Sequence, residues 1–154
     1  MNLPIEVDLM ADAAVRAWAA ATLVVLLKMM AVGVYTSVLR IRKHVYISPE
    51  DFEMQGQPVV ETPDEDIERA RRIHRNDLEN VLLFAIVGFV YALCEPSSLG
   101  LRVCFVGFPV ARILHTFFYA RGLMPHRTLA FTFGFGITAW MTLSSLVHLL
   151  MRDG

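Results

Sequence analysis

Charge is scarce in this sequence: Asp, Glu, Lys and Arg make up only 19% of its 154 residues, against 55% hydrophobic ones. With a mean hydropathy of +0.49, that balance is too apolar for an ordinary soluble domain of this size, and it places the chain in a membrane. Cysteine is scarcer still. Cys94 and Cys104 lie in or beside apolar stretches without CxxC spacing, which excludes a disulfide framework and a cysteine zinc site and leaves both as small buried hydrophobes. The sequence also lacks internal repeats and low-complexity segments. It has no basic leader: Glu6, Asp8 and Asp12 come first, so the first apolar run reads as a retained anchor and not as a signal peptide.

What is abundant is long apolar sequence. Four stretches, 17–39, 76–93, 99–120 and 128–151, are each long enough to cross a hydrocarbon core of about 30 Å as a helix rising 1.5 Å per residue. They do not alternate in the manner of a barrel. The expected fold is all-α: an integral membrane four-helix bundle with antiparallel up-down topology, in one unit over 1–154. Pro109 should bend the third span, and Gly88, Gly107, Gly134 and Gly136 offer close helix approach.

The connection 40–75 is long and polar. Ser48-Pro49-Glu50-Asp51 and Thr62-Pro63-Asp64-Glu65 each have the grammar of a helix start, and the second matches a capping box. That places a helix start near Pro63, well before the membrane. Basic residues concentrate here (Arg40, Arg42, Lys43, Arg69, Arg71, Arg72, Arg75) and at Arg121 and Arg127, so this side faces the cytosol and both termini face away.

With depth assigned, the polar residues of the spans fall in one layer. Arg72, Arg75, Asn76 and Glu79 have i, i+3, i+4, i+7 spacing; Arg112, His115 and Tyr119 have i, i+3, i+7 spacing; Arg40 ends the first span, and Arg127 and Thr128 begin the fourth. Each set shares one helical face. Glu79 and Arg112 lie one to two turns inside the membrane, where an unpaired charge costs at least about 2.5 kcal/mol, so an Arg112–Glu79 ion pair is expected. Lys28 sits near mid-membrane with a partner that spacing does not identify. The histidines are too far apart in depth for a shared haem and lack metal-ligand spacing, so no metal is expected. Such a layer suits a small anionic ligand held by guanidinium forks and an amide.

The run Arg72-Ile73-His74-Arg75-Asn76-Asp77-Leu78-Glu79-Asn80 closely resembles the signature of the membrane-associated proteins in eicosanoid and glutathione metabolism, the MAPEG family. Ser48-Pro49-Glu50-Asp51, Ala111 to Thr116 with Tyr119, and Pro125-His126-Arg127 agree with it in order along nearly the whole chain. The resemblance implies a homotrimer that binds glutathione between subunits, at the cytosolic side of an endoplasmic reticulum or bacterial inner membrane. It implies that Arg40, Arg72, Arg75, Asn76, Glu79, His115, Tyr119 and Arg127 hold the tripeptide. Arg127, Thr128 and Asp51 are implied as the catalytic set, with Arg127 facing the sulfur. A guanidinium beside sulfur favours thiolate over thiol, and a helix N-terminus adds to it.

Phe131 stands where the prostaglandin E synthase branch carries tyrosine, which is similar to the microsomal glutathione transferase branch. The expected activity is therefore a glutathione transferase acting on lipophilic electrophiles, with reduction of lipid hydroperoxides as a companion activity. The alternative is a glutathione-dependent isomerase of an endoperoxide. Readings from other classes are a small four-span multidrug transporter, which would want an acid near mid-membrane where Lys28 stands, and a non-enzymatic membrane regulator. Expected partners are glutathione, a lipophilic small molecule, membrane lipid and further copies of the chain, with no nucleic acid.

Overall fold

The computed structural model describes residues 9–45 and 64–152. A short 3-10 turn, Leu9–Ala11, leads into four long helices: α1 Ala13–Lys43, α2 Glu65–Leu93, α3 Ser98–Ala120 and α4 His126–Arg152. Among the described residues there is no strand. All four helices are long and apolar enough to cross a membrane.

Local chemistry sets the helix ends. Asp12 caps α1 by accepting from the Ala14 and Val15 amides at 2.6 and 3.2 Å, as an aspartate at this position does. The helix stops at His44, which adopts a left-handed conformation (φ 55°), while the Val45 amide closes back on the Arg40 carbonyl at 3.0 Å. Arg40, Arg42 and Lys43 occupy the last turn of α1, where the carbonyl end of the helix favours cations.

The second helix starts at Glu65, within the expected capping signal but with Asp64 and not Thr62 as its cap. Asp64 is its cap, accepting from Asp66 and Ile67 amides at 3.0 and 3.1 Å; Thr62, Pro63 and the Ser48-Pro49-Glu50-Asp51 signal lie outside the described residues. A carboxylate satisfies two exposed amides and the positive helix end together. Lys43 ties this start to the end of α1, donating to Asp64 at 2.9 Å and to Asp66 at 2.6 Å. Those bonds raise the Lys43 pKa and hold the Asp64 carboxyl below its ordinary value.

The first helix packs on α2 and α3 but not on α4, and α4 packs on α2 and α3. The core between them is aromatic and aliphatic. Phe84 stacks on Phe108 with centroids 3.9 Å apart and meets Phe105 edge-on at 6.1 Å, among Val25, Val81 and Met141, all buried. Gly88 is a true close approach: a Cβ there would lie 2.9 Å from the Trp18 ring, whose indole N–H reaches over to the Ala85 carbonyl at 2.9 Å. By contrast, a Cβ on Gly136 would meet nothing within 4 Å among the described residues, so that glycine marks no contact there. Pro109 lies inside α3 without interrupting it. Cys104 is buried and Cys94 half-buried, both as free thiols. Large apolar side chains such as Leu27, Leu82, Val106 and Leu143 remain exposed around the outside, a surface suited to lipid.

Candidate functional site

The deepest charges form one network, and it differs from the expected pair. Asp77 is fully buried, as is Arg112 at 1% exposure. Arg112 Nη2 donates to Asp77 Oδ1 at 2.9 Å, and Lys28 Nζ donates to the same oxygen at 2.5 Å. Arg112 therefore pairs with Asp77 and not with Glu79, which is exposed and makes no salt bridge among the described residues. The reason is rotation: Asp77 falls on the buried stripe of α2 that includes Ile73, Val81 and Phe84, whereas Glu79 lies two residues on, about 200° around the helix. Asp77 is also the partner that Lys28 lacked in the sequence. A carboxylate on an otherwise apolar stripe is the signal that could have found it. Arg112 Nη2 makes a second bond, to Asn76 Oδ1 at 2.5 Å.

Asn76 connects this network to a cavity of about 230 Å³ lined by Asn76, His115, Tyr119, Arg127, Thr128 and Phe131. Three helices build it. On α3, the one-turn and two-turn spacing of Arg112, His115 and Tyr119 puts Arg112 in the network and the other two at the cavity. The His115 and Tyr119 rings meet edge-on with centroids 5.6 Å apart, and Phe131 lies 6.0 Å from His115. On α4, Arg127 and Thr128 sit in the first turn, where the helix dipole favours anions, although the Arg127 and Leu129 amides already donate to the Leu123 and Pro125 carbonyls. The Arg127 guanidinium lies over the Tyr119 ring, 4.4 Å from its centroid, a cation–π contact that restrains a long side chain at the cavity.

One chain thus brings together Asn76, His115, Tyr119, Arg127 and Thr128. Arg72 and Glu79 are exposed on α2, flanking Asn76 by one turn on each side. Arg75 is turned the other way, lining a separate groove of about 370 Å³ with Gly33, Thr36, Ser37, Arg71 and His74. Arg40 ends α1, which packs away from α4, and it does not line the cavity. Asp51 lies outside the described residues.

The polar lining is rich in donors: an amide, a guanidinium and two hydroxyls, with the buried His115 Nδ1 unpaired among the described residues. That set fits an anionic or thiol-bearing ligand. At about 230 Å³ the cavity falls short of the roughly 300–1,000 Å³ of a whole small-molecule site, so it can take one end of an extended polar ligand, with the remainder over the exposed face of α2. No group of three or more His, Cys, Asp and Glu side chains that could hold a metal occurs among the described residues.

Microsomal glutathione S-transferase 1 of Sus scrofa is 36% identical over 151 residues, covering 92% of this chain and 97% of the relative. Prostaglandin E synthase of Bos taurus is 35% identical over 130 residues, 84% of this chain and 85% of the relative. The transferase of Homo sapiens is 35% identical over 151 residues. The MAPEG family profile matches residues 18–147, which includes all four membrane-length helices in whole or large part, so this multi-pass membrane chain belongs to the MAPEG family.

Proposed function

We propose that the protein is a membrane glutathione transferase that ionises the glutathione thiol for attack on lipophilic electrophiles. The observation that carries this reading is the convergence of Asn76, His115, Tyr119, Arg127 and Thr128 on one cavity, with the Arg127 guanidinium held over Tyr119. Glutathione supplies the sulfur nucleophile. Arg127 stabilises the negative sulfur and so releases its proton near neutral pH. Thr128 offers a hydroxyl one residue along the same helix turn, and Asn76, His115 and Tyr119 orient the polar ligand. Arg72 and Glu79 extend the site along α2.

Arg40 and Arg75 lie away from the cavity within one chain, and this supports a site completed by a neighbouring copy in a homotrimer. The short connections after α2 and α3 support an antiparallel order of the spans, and the concentration of basic residues in and beside 40–75 supports the cytosolic side of the site. The apolar outer face gives a lipid-dissolved substrate its route.

The isomerase reading draws on the 35% identity to prostaglandin E synthase. Phe131 in the cavity lining favours the transferase, because it places a ring without a hydroxyl beside His115. The two chemistries separate by product: the transferase forms a carbon–sulfur bond and consumes glutathione, whereas the isomerase regenerates it. Titration of detergent-solubilised protein with glutathione, followed by a chlorinated nitrobenzene, a lipid hydroperoxide and an endoperoxide, tests the proposal. Saturable binding with a conjugate as product is expected; absence of saturable binding overturns it.

A further inference from the structure

We propose that Arg112 is a positioning residue that, with Asp77 and Lys28, locks the Asn76 amide with its oxygen inward and its NH2 toward the cavity, making it a fixed donor for an anionic ligand group. The chain of contacts is continuous. Lys28 and Arg112 both donate to Asp77 Oδ1, at 2.5 and 2.9 Å, and Arg112 reaches on to Asn76 Oδ1 at 2.5 Å. Arg112 and Asp77 are buried and neither lines the cavity, so they act through Asn76, which does.

The orientation follows from chemistry. A guanidinium has donors only, so the atom of Asn76 that faces it must be the oxygen. Turning the amide over would set NH2 against the buried guanidinium and forfeit a charge-assisted hydrogen bond. The only remaining polar end of the side chain is the NH2, and it makes no hydrogen bond among the described residues. Asp77 anchors the guanidinium, and Lys28 holds Asp77 from α1. The network joins two cations to one carboxylate, so a further acceptor at position 76 is electrostatically favoured on its inner side, while its outer side stays a donor. The choice of probe rests on the glutathione reading above; the orientation itself does not.

Asn76→Asp separates the two sides of the residue. Its inner oxygen still accepts from Arg112 and neutralises the extra cation, whereas its outer oxygen replaces a donor by an acceptor. The expected result is an unfolding midpoint in detergent at or above the wild-type value, with glutathione affinity about tenfold weaker or worse, the loss of one hydrogen bond to a charged group. Asn76→Leu, which removes the inner acceptor, should lower the midpoint.

Arg112→Gln frees the amide to turn and should weaken glutathione binding although it touches no ligand, and Arg112→Lys should recover most of the loss. Asn76→Asp with wild-type affinity, or with stability and affinity lost together, overturns the proposal. If wild-type protein fails to bind glutathione, the proposed function falls, and the orientation is decided by the ligand-free arm: a midpoint kept in Asn76→Asp and lost in Asn76→Leu sustains it, and equal midpoints refute it.

Discussion

The Lys28–Asp77–Arg112 network and the cavity beside it use the same kinds of side chain to opposite ends. In the network, each charge is turned on another charge of the same protein, and burial makes those contacts matter. In the cavity, Arg127, Tyr119, Thr128 and His115 meet mainly rings and open space, with Arg127 held by a π face and, among the described residues, by no carboxylate. A cation satisfied by a carboxylate is spent on structure; one held by an aromatic ring keeps its hydrogen-bond donors for a ligand. Asn76 belongs to both regions.

The comparison breaks most sharply at Asp77. Asp77→Asn leaves the buried Arg112 and the half-buried Lys28 without a carboxylate, and removing one partner of a buried pair costs about 3–5 kcal/mol. Denaturant or thermal unfolding in detergent should show the loss with or without glutathione. On the cavity side, Arg127→Ala should reduce conjugation about a hundredfold, the magnitude typical of one preorganised charge-stabilising group. The thiolate absorbance that glutathione develops on binding should fall with it, while the unfolding midpoint barely moves; an unchanged absorbance would remove Arg127 from the thiolate.

Gly88→Ala probes packing remote from both regions. Its Cβ would meet Trp18 at 2.9 Å, so an overpacking cost of about 1–3 kcal/mol is expected, visible in unfolding and not in glutathione affinity once the protein is folded.

The smallest effect belongs to the exposed tie between α1 and α2. Asp64 has a depressed pKa from its Lys43 hydrogen bond, and the Lys43 pKa is raised by Asp66 and Asp64. The Asp64 contribution is present above its ordinary value of 3.8 and is lost as pH falls through its lower folded value. The Lys43 contribution is full below 10.5 and is lost as pH rises through its higher folded value. Lys43→Met should therefore flatten both limbs of a stability–pH curve slightly while leaving the plateau shape between them unchanged, since exposed pairs contribute little.

Much of the architecture was legible because membrane spans write themselves in composition: long apolar runs, acids and cap residues at helix starts, basic residues at one end. The candidate site was legible by halves. Asn76, His115, Tyr119, Arg127 and Thr128 share a depth that spacing reveals, and they do meet. Arg75 has the same depth and the same helix as Asn76, yet it lines another groove, because one residue is about 100° of rotation. Depth is a coordinate along the helix axis, and a sequence reports it well; facing is a coordinate around the axis, and it depends on which neighbour the helix packs against.

Sequence alone determined that four helices of membrane length form and that several cations lie at one level, since these follow from hydrophobicity and backbone chemistry acting within a few residues. Only the tertiary structure decided that Arg112 and Lys28 converge on Asp77 and not on Glu79. That choice required α1, α2 and α3 to be packed at particular rotations, so that two cations distant in sequence could share one buried carboxylate oxygen of a third residue.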